Sequence, residues 1–223
     1  MALLALAIAP CLAIMLLIYL RDKHEREPLK LLILSFGLGI LSVLITYILS
    51  NIASKYAPKF NSILLDEAVH AFLTVAFIEE ISKFLFLMIF LFPKRDFNEP
   101  FDGIVYTVMI GMGFATFENI LYTMEGGLST GILRMFTAVP GHAVFAILMG
   151  YFVGKAKFSS KKILYSCLGL FTATFFHGIY DYFLFISHIP GIVTGSIIAL
   201  VFGIYLSVIS INQHSNASPF REN

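Results

Sequence analysis

The chain has 223 residues, 58% of them hydrophobic and only 13% charged, with a mean hydropathy of +0.86. That composition excludes an ordinary soluble domain and defines an integral membrane protein whose immediate partner is the lipid bilayer. A net charge of +1 gives no basis for a nucleic-acid partner.

A bilayer core of about 30 Å takes roughly 20 mostly apolar residues per helix. Seven such stretches are present, at about 2–20, 29–50, 68–92, 103–122, 131–153, 163–186 and 190–211. The expected fold is all-α, a polytopic transmembrane helical bundle forming one domain over residues 1–223. The first stretch has small residues at Ala5, Ala7 and Ala9, but its positive charges, Arg21 and Lys23, follow the apolar run instead of preceding it. A retained helix is therefore expected, not a cleaved signal peptide.

Basic residues report orientation. Arg21, Lys23, Arg26 and Lys30 fall in or beside the first loop, Lys94 and Arg95 in the third, Lys155, Lys157, Lys161 and Lys162 in the fifth, and Arg221 in the tail. The alternate loops and their flanks hold only Lys55, Lys59 and Arg134. The positive-inside rule then puts the N-terminus outside and the C-terminus in the cytoplasm.

Pro28, Pro93, Pro100 and Pro190 mark span ends, whereas Pro140 lies inside the fifth span. A proline there frees a backbone carbonyl one turn earlier, which is tolerated where protein or a wet cavity satisfies it. Cys11 and Cys167 both fall in spans and read as packing residues, and His24, His70, His188 and His214, in loops, at a span end or in the tail, carry no assignment.

The third span keeps Glu79, Glu80 and Lys83, the fourth Glu118 and Asn119, the fifth His142, and the sixth His177 and Asp181. A charged side chain at the bilayer centre costs about 2.5–3.5 kcal/mol on insertion scales, and each Leu or Phe returns only about 0.3–0.6. Lys83 lies at i+4 from Glu79 and i+3 from Glu80, the spacing of an ion pair. The two glutamates are about 100° apart on a helix, so one lysine is not expected to neutralise both easily. Asn119 fits interhelical bonding as well as chemistry. Asp181 follows His177 by one turn and can orient its ring.

With the orientation above, Glu79 and Glu80 fall near the membrane midpoint, and Glu118, His142, His177 and Asp181 in its outer half. One pocket with these groups can activate water, directly or through zinc, whose catalytic sites use three N or O ligands plus water. His142 and His177 with one of Glu80, Glu118 or Asp181 would supply them. Neither H-E-x-x-H nor G-x-S-x-G occurs, and Asp102 lies at the opposite membrane face from Asp181, which excludes an aspartyl dyad. A proton-coupled transporter and a cytochrome with His142 and His177 as axial haem ligands are the alternatives. The one-sided site argues against the first, and the glutamate pair has no purpose in the second.

EEISK at 79–83, FDGIVY at 101–106, GFATFENILY at 113–122, PGHAVF at 140–145 and HGIYDY at 177–182 occur in this order. With the loop RDKHEREP at 21–28, this set closely resembles the PrsW family of bacterial intramembrane proteases. The resemblance implies a multi-pass protease of the bacterial cell membrane that makes the first, extracytoplasmic (site-1) cut in a single-pass anti-sigma factor within a stress response controlled by regulated proteolysis. It also implies distant kinship with the CAAX-prenyl endopeptidases. Glu79, Glu80, His142 and His177 are then the expected catalytic set, supported by Glu118, Asn119, Asp181 and Lys83. His142, His177 and Glu80 are the expected ligands if zinc is used, and a metal-free, glutamate-dependent site is the other option.

Overall fold

A computed structural model describes residues 2–221, and they are almost entirely helical. In chain order the elements are α1 (Ala2–Arg21), α2 (Leu29–Tyr56), α3 (Ile63–Val69), a π-helical segment His70–Ala76, α4 (Phe77–Phe86), a second π segment Leu87–Leu91, α5 (Pro100–Phe136), α6 (Ala138–Lys157), α7 (Lys162–Phe185) and α8 (Thr194–Asn216). Among the described residues, five stretches are long and apolar enough to cross a membrane: Ala2–Arg21, Leu29–Tyr56, Pro100–Lys157, Lys162–Phe185 and Thr194–Asn216. Residues 63–91 form a further continuous rod in which α and π turns alternate.

The long stretch 100–157 is not straight. Gly127 has φ 74° and ψ −160°, a region open in practice only to glycine. The chain reverses there, so Gly131 returns beside Thr123 and Arg134 reaches back to Glu118 and Asn119. A second break falls at Thr137, with φ −124° and ψ −72°. It lies one turn before Pro140, which has no N–H to give the carbonyl of Phe136.

α5 is the central helix, with every residue from Phe101 to Thr116 buried. Glycines make this close packing possible. A Cβ on Gly103 would strike the backbone of Gly150 and Gly154 in α6, and one on Gly113 would strike Phe36 in α2. Small residues at helix contacts are the membrane solution to close approach, since apolar burial alone gives little drive in lipid. The outward faces carry Leu16, Ile33, Leu44, Ile48, Ile198 and Val201, all exposed, which suits contact with acyl chains.

Two expectations need correction. The interval 51–67 between the second and third expected spans is largely helical, because α2 runs to Tyr56 and α3 begins at Ile63. His214 is not in a free tail: it lies in α8, buried, with Nδ1 2.8 Å from the Pro100 carbonyl and its ring stacked on Tyr151.

Candidate active site

α4 presents Glu79, Glu80 and Lys83 to the interior, and all three are buried. Lys83 Nζ donates to Glu80 Oε1 at 2.7 Å and to Glu79 Oε2 at 3.3 Å, and lies 3.9 Å over the Phe114 ring. This corrects the expectation that one lysine serves the pair poorly. At about 100° per residue, position 83 falls roughly 40° from position 79 and 60° from position 80. Lys83 therefore stands between the glutamates, not to one side of them.

The two glutamates have different outlooks. Glu79 lines a cavity of about 620 Å³ together with Glu118, Arg134, His142, His177 and Asp181. Glu80 is not among the lining residues and is 1% exposed. Its Oε1 is 3.0 Å from His177 Nδ1, while His177 Nε2 is 3.2 Å from Asp181 Oδ2. His177 is thus held between a sealed carboxylate on α4 and the i+4 carboxylate of its own helix.

The other half of the site comes from α5 and α6. Glu118 Oε2 is 2.9 Å from His142 Nε2 and accepts from Arg134 Nη2 at 2.6 Å. Asn119 is an interhelical strut: its Nδ2 donates to the Ala7 carbonyl of α1 at 2.9 Å, and its Oδ1 accepts from Arg134 Nε at 2.8 Å. In the sequence Arg134 is a charge flanking a span, and only the reversal at Gly127 brings it here. His70, given no assignment, also lines the cavity and packs 5.1 Å from the Phe185 ring. Gly178, beside His177, leaves room for the Phe72 ring, which lets α7 close on the π segment. π turns of this kind recur at functional sites.

At this site two groups of three could each hold a metal ion, Glu79 with Glu80 and His177, and Glu79 with Glu118 and His142, their ligand atoms lying within 4.8 Å of one another in each group. Glu79 is common to both, and the two histidines fall in different groups. The rings of His142 and His177 stand 5.5 Å apart. Two imidazoles on one tetrahedral metal, with nitrogens at about 2.0–2.1 Å, put their ring centres roughly 5 Å apart. His142 Nδ1 is buried without a partner, and four carboxylates face only two permanent cations, Lys83 and Arg134. The donor set fits a divalent metal.

Membrane-crossing helices around a buried carboxylate–histidine cavity define a multi-pass membrane hydrolase. The chain belongs to the PrsW family of intramembrane metalloproteases, whose family model matches residues 27–210. It is 38% identical over 185 residues to "Protease PrsW" of Geobacillus kaustophilus (strain HTA426), covering 82% of this chain and 80% of that one. It is 34% identical over 185 residues to the protein of the same name from Bacillus subtilis (strain 168), covering 82% and 83%. For that of Oceanobacillus iheyensis the identity is 38% over 188 residues, with coverage of 82% and 83%. No solved structure matches the chain.

Proposed function

We propose that this protease makes a site-1, extracytoplasmic cut in a single-pass membrane protein, an anti-sigma factor, and so starts a stress-signalling cascade. The distribution of Lys and Arg supports seven spans with the N-terminus outside and the C-terminus in the cytoplasm, and with them a site in the outer half of the bilayer. The observation that carries the mechanism is the different outlook of the adjacent glutamates, Glu79 on the cavity and Glu80 sealed behind it.

In this reading Glu79 is the general base. It takes a proton from the water whose oxygen attacks the scissile carbonyl carbon, and it returns that proton to the amine nitrogen as the C–N bond breaks. Lys83 fixes the Glu79 carboxylate from below. Glu80 accepts the Nδ1–H of His177 and turns Nε2 toward the cavity, the usual part of a carboxylate behind a working imidazole. Arg134 holds Glu118 against His142. His142 and His177 would be the nitrogen ligands of a zinc ion, with Glu118 taking the place of the Glu80 expected from the sequence because Glu80 is sealed off the cavity; when bound, the ion would supply a water of pKa about 7 and polarise the carbonyl.

The test is co-expression with a single-pass anti-sigma bait carrying different tags on its two sides. The expected product is a fragment cut on the outer side, absent with Glu79→Gln. A cut on the cytoplasmic side would overturn the orientation, and equal cutting by the Glu79→Gln variant would overturn the base.

A further inference from the structure

At the other end of α5, about 24 Å along the helix from Glu118, a second set of acids is buried where the α1–α2 connection meets the start of α5. Asp22 and Glu27 come from the connection, and Glu99 and Asp102 from the N-terminal turn of α5; all four are buried. Glu25 joins them, so that oxygens of Glu25, Glu27 and Asp102 lie within 4.8 Å of one another. Nothing in the proteolytic site uses these groups.

Local structure accounts for part of the cluster. Glu99 and Asp102 form a capping box on α5, and Asp102 Oδ2 accepts from the Asn98 and Glu99 amides at 2.7 and 2.8 Å. Tyr106 donates to Glu27 Oε2. The remaining oxygens are orphans: Asp22 Oδ1, Glu25 Oε2, Glu27 Oε1, Asn98 Oδ1, Glu99 Oε2 and Asp102 Oδ1 are all buried without a partner. These are six of the eleven such atoms among the described residues, so the shortage is concentrated here.

Among the described residues no protein cation forms an ion pair with these acids, although His24 stands within electrostatic reach of Glu99 and Lys157 of Asp102. The ion pairs among the described residues lie in the proteolytic cavity. Arg21, Lys23 and Arg26 flank the acids in sequence yet are exposed, Arg26 lying over the Tyr19 ring at 5.1 Å. A helix N-terminus offers only about half a positive charge. Burial first, then the neighbouring acids, pushes Asp22 and Glu27 up to about 7, the mark of carboxylates crowded without a counter-charge.

We propose that Glu25, Glu27 and Asp102, with Asp22, Asn98 and Glu99 around them, bind one hard divalent cation, calcium or magnesium, that staples the α1–α2 connection to the start of α5. The orphan donors are all oxygens, the preference of these ions and not of zinc. Oxygens bound to one calcium ion at 2.3–2.6 Å stand no more than roughly 4.6–5.2 Å apart, and those of Glu25, Glu27 and Asp102 are close enough to share one ion, all within 4.8 Å of one another. A neutral amide oxygen such as that of Asn98 is a normal member of such a shell.

The experiment is equilibrium dialysis of the EDTA-stripped, detergent-solubilised full chain against radiolabelled calcium, with magnesium as competitor. The expected result is about one saturable cation per chain, kept in His142→Ala and bound at least tenfold more weakly by Asp102→Asn. Glu25→Gln, at a partly exposed position that folding tolerates, weakens binding in the same direction. No saturable binding of either ion, or binding equal to wild type in both acid variants, overturns the proposal. So does a melting midpoint that Asp102→Asn raises while wild type ignores both cations, because the acids would then be sharing protons.

Discussion

Replacing Lys83 by Met removes the cation common to the glutamate pair while keeping the length of the side chain. At an effective dielectric of about 20, unit charges at the observed 2.7 and 3.3 Å attract by about 6 and 5 kcal/mol before desolvation is subtracted. The net loss on breaking one partner of a buried pair is about 3–5 kcal/mol, because the other charge stays buried and unpaired. Here two carboxylates are stranded, with Glu80 1% and Glu79 7% exposed. At about 2–4 °C per kcal/mol for a chain of this size, the melting midpoint in detergent should fall by about 10 °C. Adding Glu80→Gln removes one stranded charge and should return at least half of that loss, a coupling that a double-mutant cycle isolates. A Lys83→Met variant within about 1 kcal/mol of wild type, or a double variant less stable than the single, would show that the buried glutamates do not depend on Lys83.

Gly127→Ala places a Cβ where φ is 74° and ψ −160°, and should cost about 1–3 kcal/mol in a denaturation midpoint while also slowing cleavage, because the same bend carries Arg134 to Glu118. Arg134→Leu should lower cleavage at least tenfold with a smaller effect on the melting midpoint, since Glu118 then loses its 2.6 Å partner beside His142. Chelation should abolish cleavage of the bait, and metal analysis should find about one zinc in wild type and none in His142→Ala or His177→Ala; zinc retained by both variants would remove the histidines as ligands.

Much of the site was legible because helical spacing is short-range. The positions of Glu79, Glu80 and Lys83 and of His177 and Asp181 at i+3 and i+4 specify their contacts before any packing is known, and depth along the spans brings His142 and Glu118 to the same level. What the spacing could not supply was the side of the helix that remains open. Glu79 and Glu80 differ by one residue, and only the packing of α7 against α4, with His177 Nδ1 hydrogen-bonded to Glu80, decides which of them meets the cavity. Arg134 was hidden for a different reason. A glycine pair reads as a turn, but the reversal that folds residues 128–136 back on 118–123 is a tertiary event with no periodic trace. The acids at 22–27 and 99–102 fall in or beside loops in the sequence, and their burial depends on two connections meeting across more than seventy residues.

The α/π rod at 63–91 shows the same limit in the fold. Its hydrophobic run predicts a helix well enough, yet a uniform 3.6-residue period does not register that the turns at His70–Ala76 and Leu87–Leu91 are wider. Those turns bracket α4 and set how its polar stripe faces α5 and α7.

The most direct measurement compares cleavage of one single-pass bait by wild type, Glu79→Gln and Glu80→Gln, with metal content read on the same preparations. Glu79→Gln should keep its metal and lose cleavage by at least about 10²–10⁴-fold, the range for a general base. Glu80→Gln should lose about 10–100-fold together with metal affinity, as a group that orients His177. Activity close to wild type in Glu79→Gln, with cleavage abolished in Glu80→Gln at unchanged metal content, would contradict this assignment and make the sealed glutamate the base.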